Sequence, residues 1–280
     1  MPPSPPTGLL TTPYGVDLEY LATGAGRPVT VFAHGLGSGI ADTRPLGSGV
    51  PGSKIFLQLR GHGRSGTPPG PWSYADLADD LGSAADLLGA GQALGVSLGA
   101  GALCRLLTTR PDRFDRLVFF LPAVLDTPRA APARRRLASL FDAVASGNRD
   151  RVADAVSDEV PPALRQTPAA RAFIRQRVDQ LLRDGLGAGL ADLPDQVAVP
   201  DPEALTKVTA PTLVIACTGD ELHPVGVARR LAGLLPAAVL HVYDRPGVLW
   251  TARADLRARI GAFLSGKAGP DRATESTPER

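Results

Sequence analysis

Two kinds of hydrophobic pattern alternate along most of the chain. Short apolar runs rich in valine, leucine and phenylalanine are typical of buried strands, whereas apolar residues recurring every three or four positions are typical of helices. The apolar runs predict strands over residues 10–14, 17–22, 28–34, 54–59, 91–94, 116–121, 211–217 and 238–242. Because strands alternate with helices, we expect a mostly parallel central sheet covered on both faces, the α/β class.

Helical patterns fill the intervals between several of these strands. One helix begins at Ser73, an N-cap residue with Asp76 three positions later. From about residue 126 to 208 the pattern changes, and helical segments follow one another without a strand. The predicted helices are 73–88, 100–107, 131–145, 149–156, 168–182, 224–235 and 252–264. We therefore predict an α/β core over 10–125 and 209–266 with a helical cap insertion over 126–208, and poor order over 1–9 and 267–280.

A serine lies between a predicted strand and a predicted helix, in the sequence Gly95-Val96-Ser97-Leu98-Gly99. A lone G-x-S-x-G is a weak signal, because glycine and serine are common in turns. In a strand–turn–helix context the same pattern is typical of a nucleophile elbow, in which the glycines allow a turn that lifts the serine hydroxyl above the sheet. Ser97 is therefore a candidate nucleophile.

Further motifs surround the serine in a specific order. Before it come a His34-Gly35 loop and the turn Arg60-Gly61-His62-Gly63; after it come the helical stretch and Thr218-Gly219-Asp220. This order resembles the α/β-hydrolase superfamily over residues 10–265. The resemblance implies an α/β-hydrolase fold with an inserted helical cap. It also implies that Asp220 is the catalytic acid, and that His34 and His62 brace loops rather than act as bases.

The resemblance also implies where negative charge would be stabilised. In this superfamily one oxyanion donor is the backbone N–H of the residue after His-Gly, here Leu36 beside Gly35. The second is the N–H of the residue after the nucleophile, here Leu98. Losing one such donor typically costs about 10²–10³ in rate. Gly35, Leu36 and Leu98, with Val248, are the candidate substrate-binding residues.

The chain departs from the superfamily at the base. The catalytic histidine ordinarily follows the last strand, yet here that loop reads Tyr243-Asp244-Arg245-Pro246-Gly247-Val248, with valine where histidine belongs. The four histidines are His34, His62, His223 and His241, and none lies in this loop. Valine cannot accept a proton, and removing the base of a triad costs on the order of 10⁶ in kcat. We therefore expect Ser97 and Asp220 to form an incomplete triad.

His223 is the alternative base. It follows Asp220 by three positions and could lie near the mouth of the site, but sharing one loop constrains how both residues address Ser97. The ordinary interpretation, which we favour from the sequence, is that His223 merely precedes the helix beginning at Pro224. His241 lies inside the last strand, where a packed or edge histidine is the default.

An oxyanion site without a protein base favours a reaction in which the substrate itself supplies the base. Two backbone donors stabilise an enolate as readily as a tetrahedral intermediate. The chain in this respect resembles atypical members of the superfamily from natural-product pathways, such as the peptide aspartate epimerase of bottromycin biosynthesis. The sequence hypothesis is a non-hydrolytic enzyme of bacterial specialised metabolism, an epimerase or isomerase that moves a proton with help from its substrate. It further predicts that Val248→His raises esterase activity if the rest of the triad is poised.

Two alternatives stay open at this point. One is a serine esterase that uses Ser97 with His223 as a relocated base. The other is a non-catalytic binding protein, since plant hormone receptors of this fold also keep the serine and replace the histidine with an aliphatic residue. In each case the expected partner is a small molecule or a peptide, and the oligomeric state is open.

Composition and short motifs bear on the ligands, the location and the cofactors that we expect for the protein. A formal charge of +2 on 280 residues is too small to suggest nucleic acid or an anionic membrane surface. The amino-terminal residues have no signal-peptide pattern, and no apolar stretch approaches membrane-spanning length, so we expect a cytoplasmic protein. Cys104 and Cys217 lie in apolar runs and are expected to be buried thiols. No spacing of ligands implies a metal, and no motif implies an organic cofactor.

Overall fold

A computed structural model of the chain describes residues 7–267 as one sheet with helices on both faces. The strands are β1 Gly8–Thr11, β2 Asp17–Thr23, β3 Val29–Ala33, β4 Ser53–Leu57, β5 Gln92–Val96, β6 Arg116–Phe120, β7 Thr212–Cys217 and β8 Ala238–Tyr243. Their order in the sheet is β1-β2-β4-β3-β5-β6-β7-β8. The pairs β1–β2 and β2–β4 are antiparallel, and the other five pairs are parallel. The mostly parallel sheet predicted from the sequence is confirmed, with this antiparallel edge.

The helices follow the sequence pattern closely. They are α1 Ile40–Thr43, α2 Tyr74–Leu87, α3 Leu98–Thr109, α4 Ala131–Ala145, α5 Arg149–Ser157, α6 Pro168–Asp184, α7 Val225–Leu234, α8 Val248–Thr251 and α9 Arg253–Leu264. At the start of α2, Ser73 and Asp76 form the expected capping box. The short helices α1 and α8 are missed by the sequence pattern, because four residues cannot display a helical period.

Two apolar clusters on opposite faces of the sheet form the core. One packs α2, α3 and α7 against the sheet through residues such as Tyr74, Leu103 and Leu231. The other packs α9 through residues such as Leu256 and Phe263. Both cysteines are buried free thiols, as the sequence predicts. Burial on both faces explains why the central strands are continuous apolar runs.

The helices α4, α5 and α6, which we call the inserted helices, lie between β6 and β7. They enclose a small apolar cluster of their own that includes Val152, Val156 and Val178. The segment that leads from α6 back to the core packs on Trp72. The backbone N–H of Trp72 donates to Gly189 O at 3.1 Å. The division of the chain at residues 126 and 208 stays a prediction.

The ends of the chain are described only in part. Residues 1–6 and 268–280, where we expect poor order, lie outside the described residues. Residues 8 and 9, which belong to the same expectation, lie in β1, which begins at Gly8 and pairs with β2. Within residues 7–267, no helix is both long and apolar enough to cross a lipid bilayer.

Candidate active site

The serine of the G-x-S-x-G sequence occupies a sharp turn between β5 and α3. Ser97 has φ 49° and ψ −103°, a backbone conformation that is strained for a residue with a Cβ. The flanking glycines permit it: a Cβ added to Gly95 would lie 2.6 Å from Gly99 O, and one added to Gly99 would meet Ala33 O. This is the nucleophile-elbow geometry expected from the sequence.

A histidine contacts the serine hydroxyl. His223 Nε2 lies 3.0 Å from Ser97 Oγ, and His223 Nδ1 lies 2.9 Å from Asp220 Oδ2. With Nδ1–H donated to the carboxylate, Nε2 is free to accept the proton of the hydroxyl. The expectation that no imidazole reaches Ser97 is therefore wrong, as is the interpretation that His223 merely precedes α7.

The loop after β7 holds the acid and the base together. Asp220 Oδ1 accepts hydrogen bonds from the backbone N–H groups of Leu222 at 3.0 Å and His223 at 3.2 Å. The other carboxylate oxygen faces the imidazole. The three-residue spacing that looked like a constraint in the sequence therefore forms a compact turn, which orients His223 through both its backbone and its ring.

The carboxylate of Asp220 is held in its charged form. Burial alone raises the pKa of this group, but hydrogen bonds and charge from His223, with the N–H of Leu222, bring the pKa below its usual value. Asp220 is therefore anionic at neutral pH. A carboxylate in this position stabilises the imidazolium that forms when His223 takes a proton.

The segment that follows β3, residues 34–42, runs into α1 and lies against the serine; we call it the His-Gly loop. A Cβ added to Gly35 would lie 3.4 Å from Ser97 Cβ. Four successive backbone N–H groups in the loop have fixed acceptors, namely Gly37 to His62 Nε2, Ser38 to Gly35 O, Gly39 to Asp42 Oδ2 and Ile40 to Gln58 Oε1. The N–H of Leu36, which precedes them, donates to no acceptor among residues 7–267. It is thus available to a ligand.

The elbow has a similar free donor. Ser97 N–H donates to Phe120 O at 3.1 Å, and Gly99 N–H donates to His34 O at 3.0 Å. Between them, the N–H of Leu98 has no acceptor in the part of the chain that the structure describes. Leu98 is the first residue of α3, so the positive end of the helix dipole adds to its capacity to bind an anion.

His34 and His62 brace the loops, as expected from the sequence. His34 Nε2 accepts from Leu59 N–H at 3.0 Å, and its Nδ1 lies 2.7 Å from Gly35 O. His62 links Gly37 N–H to Arg60 O through its two ring nitrogens. Burial lowers the pKa of His62 to about 4 and puts the pKa of His34 well below its usual value. Both rings are neutral at physiological pH.

The position where the superfamily ordinarily has its histidine is filled by core packing. Val248, the first residue of α8, is 2% exposed and belongs to the apolar cluster beneath α9. The loop around it contacts α6 and the segment that joins α5 to α6: Phe173 of α6 packs edge-to-face on Trp250 at 5.2 Å, and Pro161 covers Gly247. The side chain of Val248 therefore packs in the core and does not lie at the serine hydroxyl. His241, in β8, lies against Tyr243 at 4.5 Å between ring centroids.

A glutamine that follows β4 also supports the site. Gln58, for which the sequence suggests no function, accepts from Ile40 N–H at 3.0 Å and supports the His-Gly loop. Its position after β4 is the only signal that could have found it. No set of three or more His, Cys, Asp or Glu side chains within residues 7–267 is arranged to hold a metal ion.

Comparisons with known proteins agree with the fold. Residues 28–247 match the family model described as alpha/beta hydrolase fold. A Caulobacter sp. (strain K31) protein that bears the name "Putative carbamate hydrolase RutD" is 28% identical over 237 residues, 76% of this chain and 81% of that protein. A Caulobacter segnis protein with the same name is 35% identical over 100 residues, which span 34% of this chain and 38% of that protein.

Among solved structures, the enol-lactonase from Burkholderia xenovorans LB400 superposes with a TM-score of 0.76 at 21% identity. The superposition covers 92% of this chain and 100% of that one, and it shows a shared fold. Because the family model matches most of the chain, including the His-Gly loop, the elbow and the loop after β7, this protein belongs to the alpha/beta hydrolase family.

Proposed function

We propose that the protein is a serine hydrolase that cleaves a small ester-type substrate by way of an acyl-enzyme on Ser97. One observation carries the proposal: Asp220, His223 and Ser97 form a continuous hydrogen-bonded chain, with separations of 2.9 and 3.0 Å. Nucleophile, base and orienting carboxylate within hydrogen-bond reach of one another are the signature of an activated serine.

The steps follow from these contacts. Ser97 Oγ attacks the substrate carbonyl while its proton passes to His223 Nε2, and Asp220 stabilises the resulting imidazolium. The N–H groups of Leu36 and Leu98 donate to the oxygen that becomes negative. Collapse breaks the bond to the leaving group, which takes the proton from His223 and departs. Water then attacks the acyl-enzyme through the same base, which releases the acid and returns the proton to Ser97.

The names of relatives support an acyl substrate of modest size. The two Caulobacter proteins are named for carbamate hydrolysis, and a lactonase shares the fold. Esters, lactones and carbamates all present a carbonyl carbon with an oxygen or nitrogen leaving group, which this site can attack. We therefore propose a small-molecule ester, lactone or carbamate as the substrate class.

The two other hypotheses lose the observation that motivated them. Proton transfer assisted by the substrate, including peptide aspartate epimerisation, depends on the absence of a base beside Ser97. The binding-protein alternative depends on the same absence. Since His223 now contacts the hydroxyl, neither has an observation in its favour.

The test is hydrolysis of p-nitrophenyl acetate and butyrate by the wild-type protein and by Ser97→Ala. We expect turnover with a burst of nitrophenol, an acyl adduct detectable on Ser97 by intact-protein mass, and a loss of about 10⁶ in kcat in the variant. Equal rates for the two proteins would overturn the proposal. If both are silent, deuterium exchange from D₂O into a bound substrate would revive proton transfer, and tight binding without exchange would revive the binding protein.

A further inference from the structure

A buried arginine of the inserted helices contacts the His-Gly loop. Arg177 lies on α6, and its side chain is only 5% exposed. Its Nη2 lies 3.3 Å from Ser38 Oγ, and its Nη1 lies 3.4 Å from Asp42 Oδ2. On the side of the inserted helices, its Nε lies 3.5 Å from Glu159 Oε1. One guanidinium therefore links the inserted helices to the loop that carries Leu36.

Both partners in the loop belong to the turn beside the serine. Asp42 Oδ2 also accepts the N–H of Gly39 at 2.9 Å, and Ser38 donates its N–H to Gly35 O at 3.0 Å. Gly35 is the residue that lies against Ser97, so the position of the Leu36 N–H depends on this turn. A guanidinium presents its donors in a planar fork and can hold two acceptors at a fixed separation.

The positive charge of Arg177 is offset by neighbouring carboxylates. Asp42 and Glu159 both lie within 3.5 Å, so two carboxylates accompany the one guanidinium and the cluster carries no net positive charge. The arginine would therefore act through geometry. This distinguishes it from a cation that binds substrate or neutralises an oxyanion directly.

We propose that Arg177 is a positioning residue, which holds the His-Gly loop so that the Leu36 N–H points at the oxyanion when the inserted helices are seated on the core. The inference rests on the proposed function. It adds that the oxyanion site is complete only while α6 packs on the loop. Misplacing a catalytic group by about 1 Å can cost up to about 10²-fold in rate.

The test compares Arg177→Met and Arg177→Lys with the wild type. The matched control is Arg175→Met, because Arg175 is exposed on the same helix. For each we would measure kcat and KM with p-nitrophenyl butyrate and the Ki of phenylboronic acid, whose tetrahedral serine adduct places an oxygen in the oxyanion site. We expect Arg177→Met to lower kcat by about 10-fold to 10²-fold with little change in KM, and to raise the Ki by a similar factor. Arg177→Lys should recover part of both, and Arg175→Met should match the wild type.

Each outcome decides something different. A kcat and Ki for Arg177→Met equal to those of Arg175→Met would overturn the inference, as would a rise in KM with the Ki unchanged. If Arg177→Met does not fold, Ser38→Ala removes one contact of the guanidinium alone. A smaller loss of the same kind would then support the inference, and unchanged kcat and Ki would overturn it. A wild-type protein without esterase activity would instead mean that the proposed function has failed.

Discussion

Ser97 Oγ and His223 Nε2 lie 3.0 Å apart, although the histidine belongs to the loop after β7 and not to the loop after the last strand. The loop that carries His223 lies close to the loop that ordinarily carries the base. β7 and β8 are parallel neighbours, so their following loops emerge side by side, and a Cβ added to Gly219 would lie 3.3 Å from Pro246 of the second loop. A base can therefore move by one strand and still reach the same hydroxyl.

Asp220→Asn should nearly abolish ester hydrolysis while leaving the loop folded. The amide oxygen can still accept the N–H groups of Leu222 and His223, but an NH₂ group would face His223 Nδ1 and favour the wrong imidazole tautomer. The analogous change in a serine protease lowers kcat by about 10⁴. Steady-state hydrolysis of p-nitrophenyl butyrate measures the loss, with the exposed neighbour Glu221→Gln as the control. A variant within tenfold of the wild type, roughly 1.4 kcal/mol in barrier, would argue against the role of the carboxylate.

Val248→His should not raise esterase activity, contrary to the expectation from the sequence. Val248 is packed in the apolar cluster beneath α9, so an imidazole there would be buried without a partner. Burying an unsatisfied polar group costs about 1–3 kcal/mol. Urea denaturation should show reduced stability, and the kcat of folded protein should not exceed that of the wild type. Recovery of activity by Val248→His in a His223→Ala background would show that the ordinary position is still functional.

Stability should fall as the pH drops from about 6.5 toward 4, because of the buried histidines. An unfolded chain binds a proton on histidine near its ordinary pKa of about 6.5, whereas His62 in the folded protein binds one only near 4. The unfolded state therefore gains protons first, and the contribution of His62 to folding is present above pH 6.5 and lost below it. The loss amounts to up to roughly 3 kcal/mol over this interval.

The same prediction can be isolated by His62→Gln, since a glutamine can both accept from Gly37 N–H and donate to Arg60 O. The free energy of unfolding, measured by urea denaturation at pH 7 and pH 5, should fall less in the variant than in the wild type. Part of the fall should persist because burial also lowers the pKa of His34. Identical pH dependence in both proteins would contradict this assignment.

Much of the fold is readable from the sequence because apolar runs and helical periods are local signals. The strand over 116–121 and the helix over 131–145 are found within a residue of their observed bounds. The turn at Ser97 is also local, since G-x-S-x-G between a strand and a helix determines where the hydroxyl points.

The sequence does not identify the base, because the contact between His223 and Ser97 joins residues that are distant in sequence. Position in the family pattern pointed to residue 248, and the pattern assumes that acid and base follow different strands. The Asp220 turn directs the His223 ring toward Ser97, and this orientation is visible only in the folded structure. Arg177 carries no signal either, because α6 contains four arginines and the sequence does not distinguish this one until its partners Ser38 and Asp42 are known.

The most direct measurement is the rate at which a fluorophosphonate probe modifies Ser97 in the wild type, in His223→Ala and in the matched control His241→Ala. Phosphonylation needs only the activated nucleophile and the oxyanion donors, so it reports on the base without knowledge of the natural substrate. We predict rapid labelling of the wild type and of His241→Ala, and a rate for His223→Ala lower by at least about 10³. Labelling of His223→Ala at the wild-type rate would show that His223 is not the base of this serine.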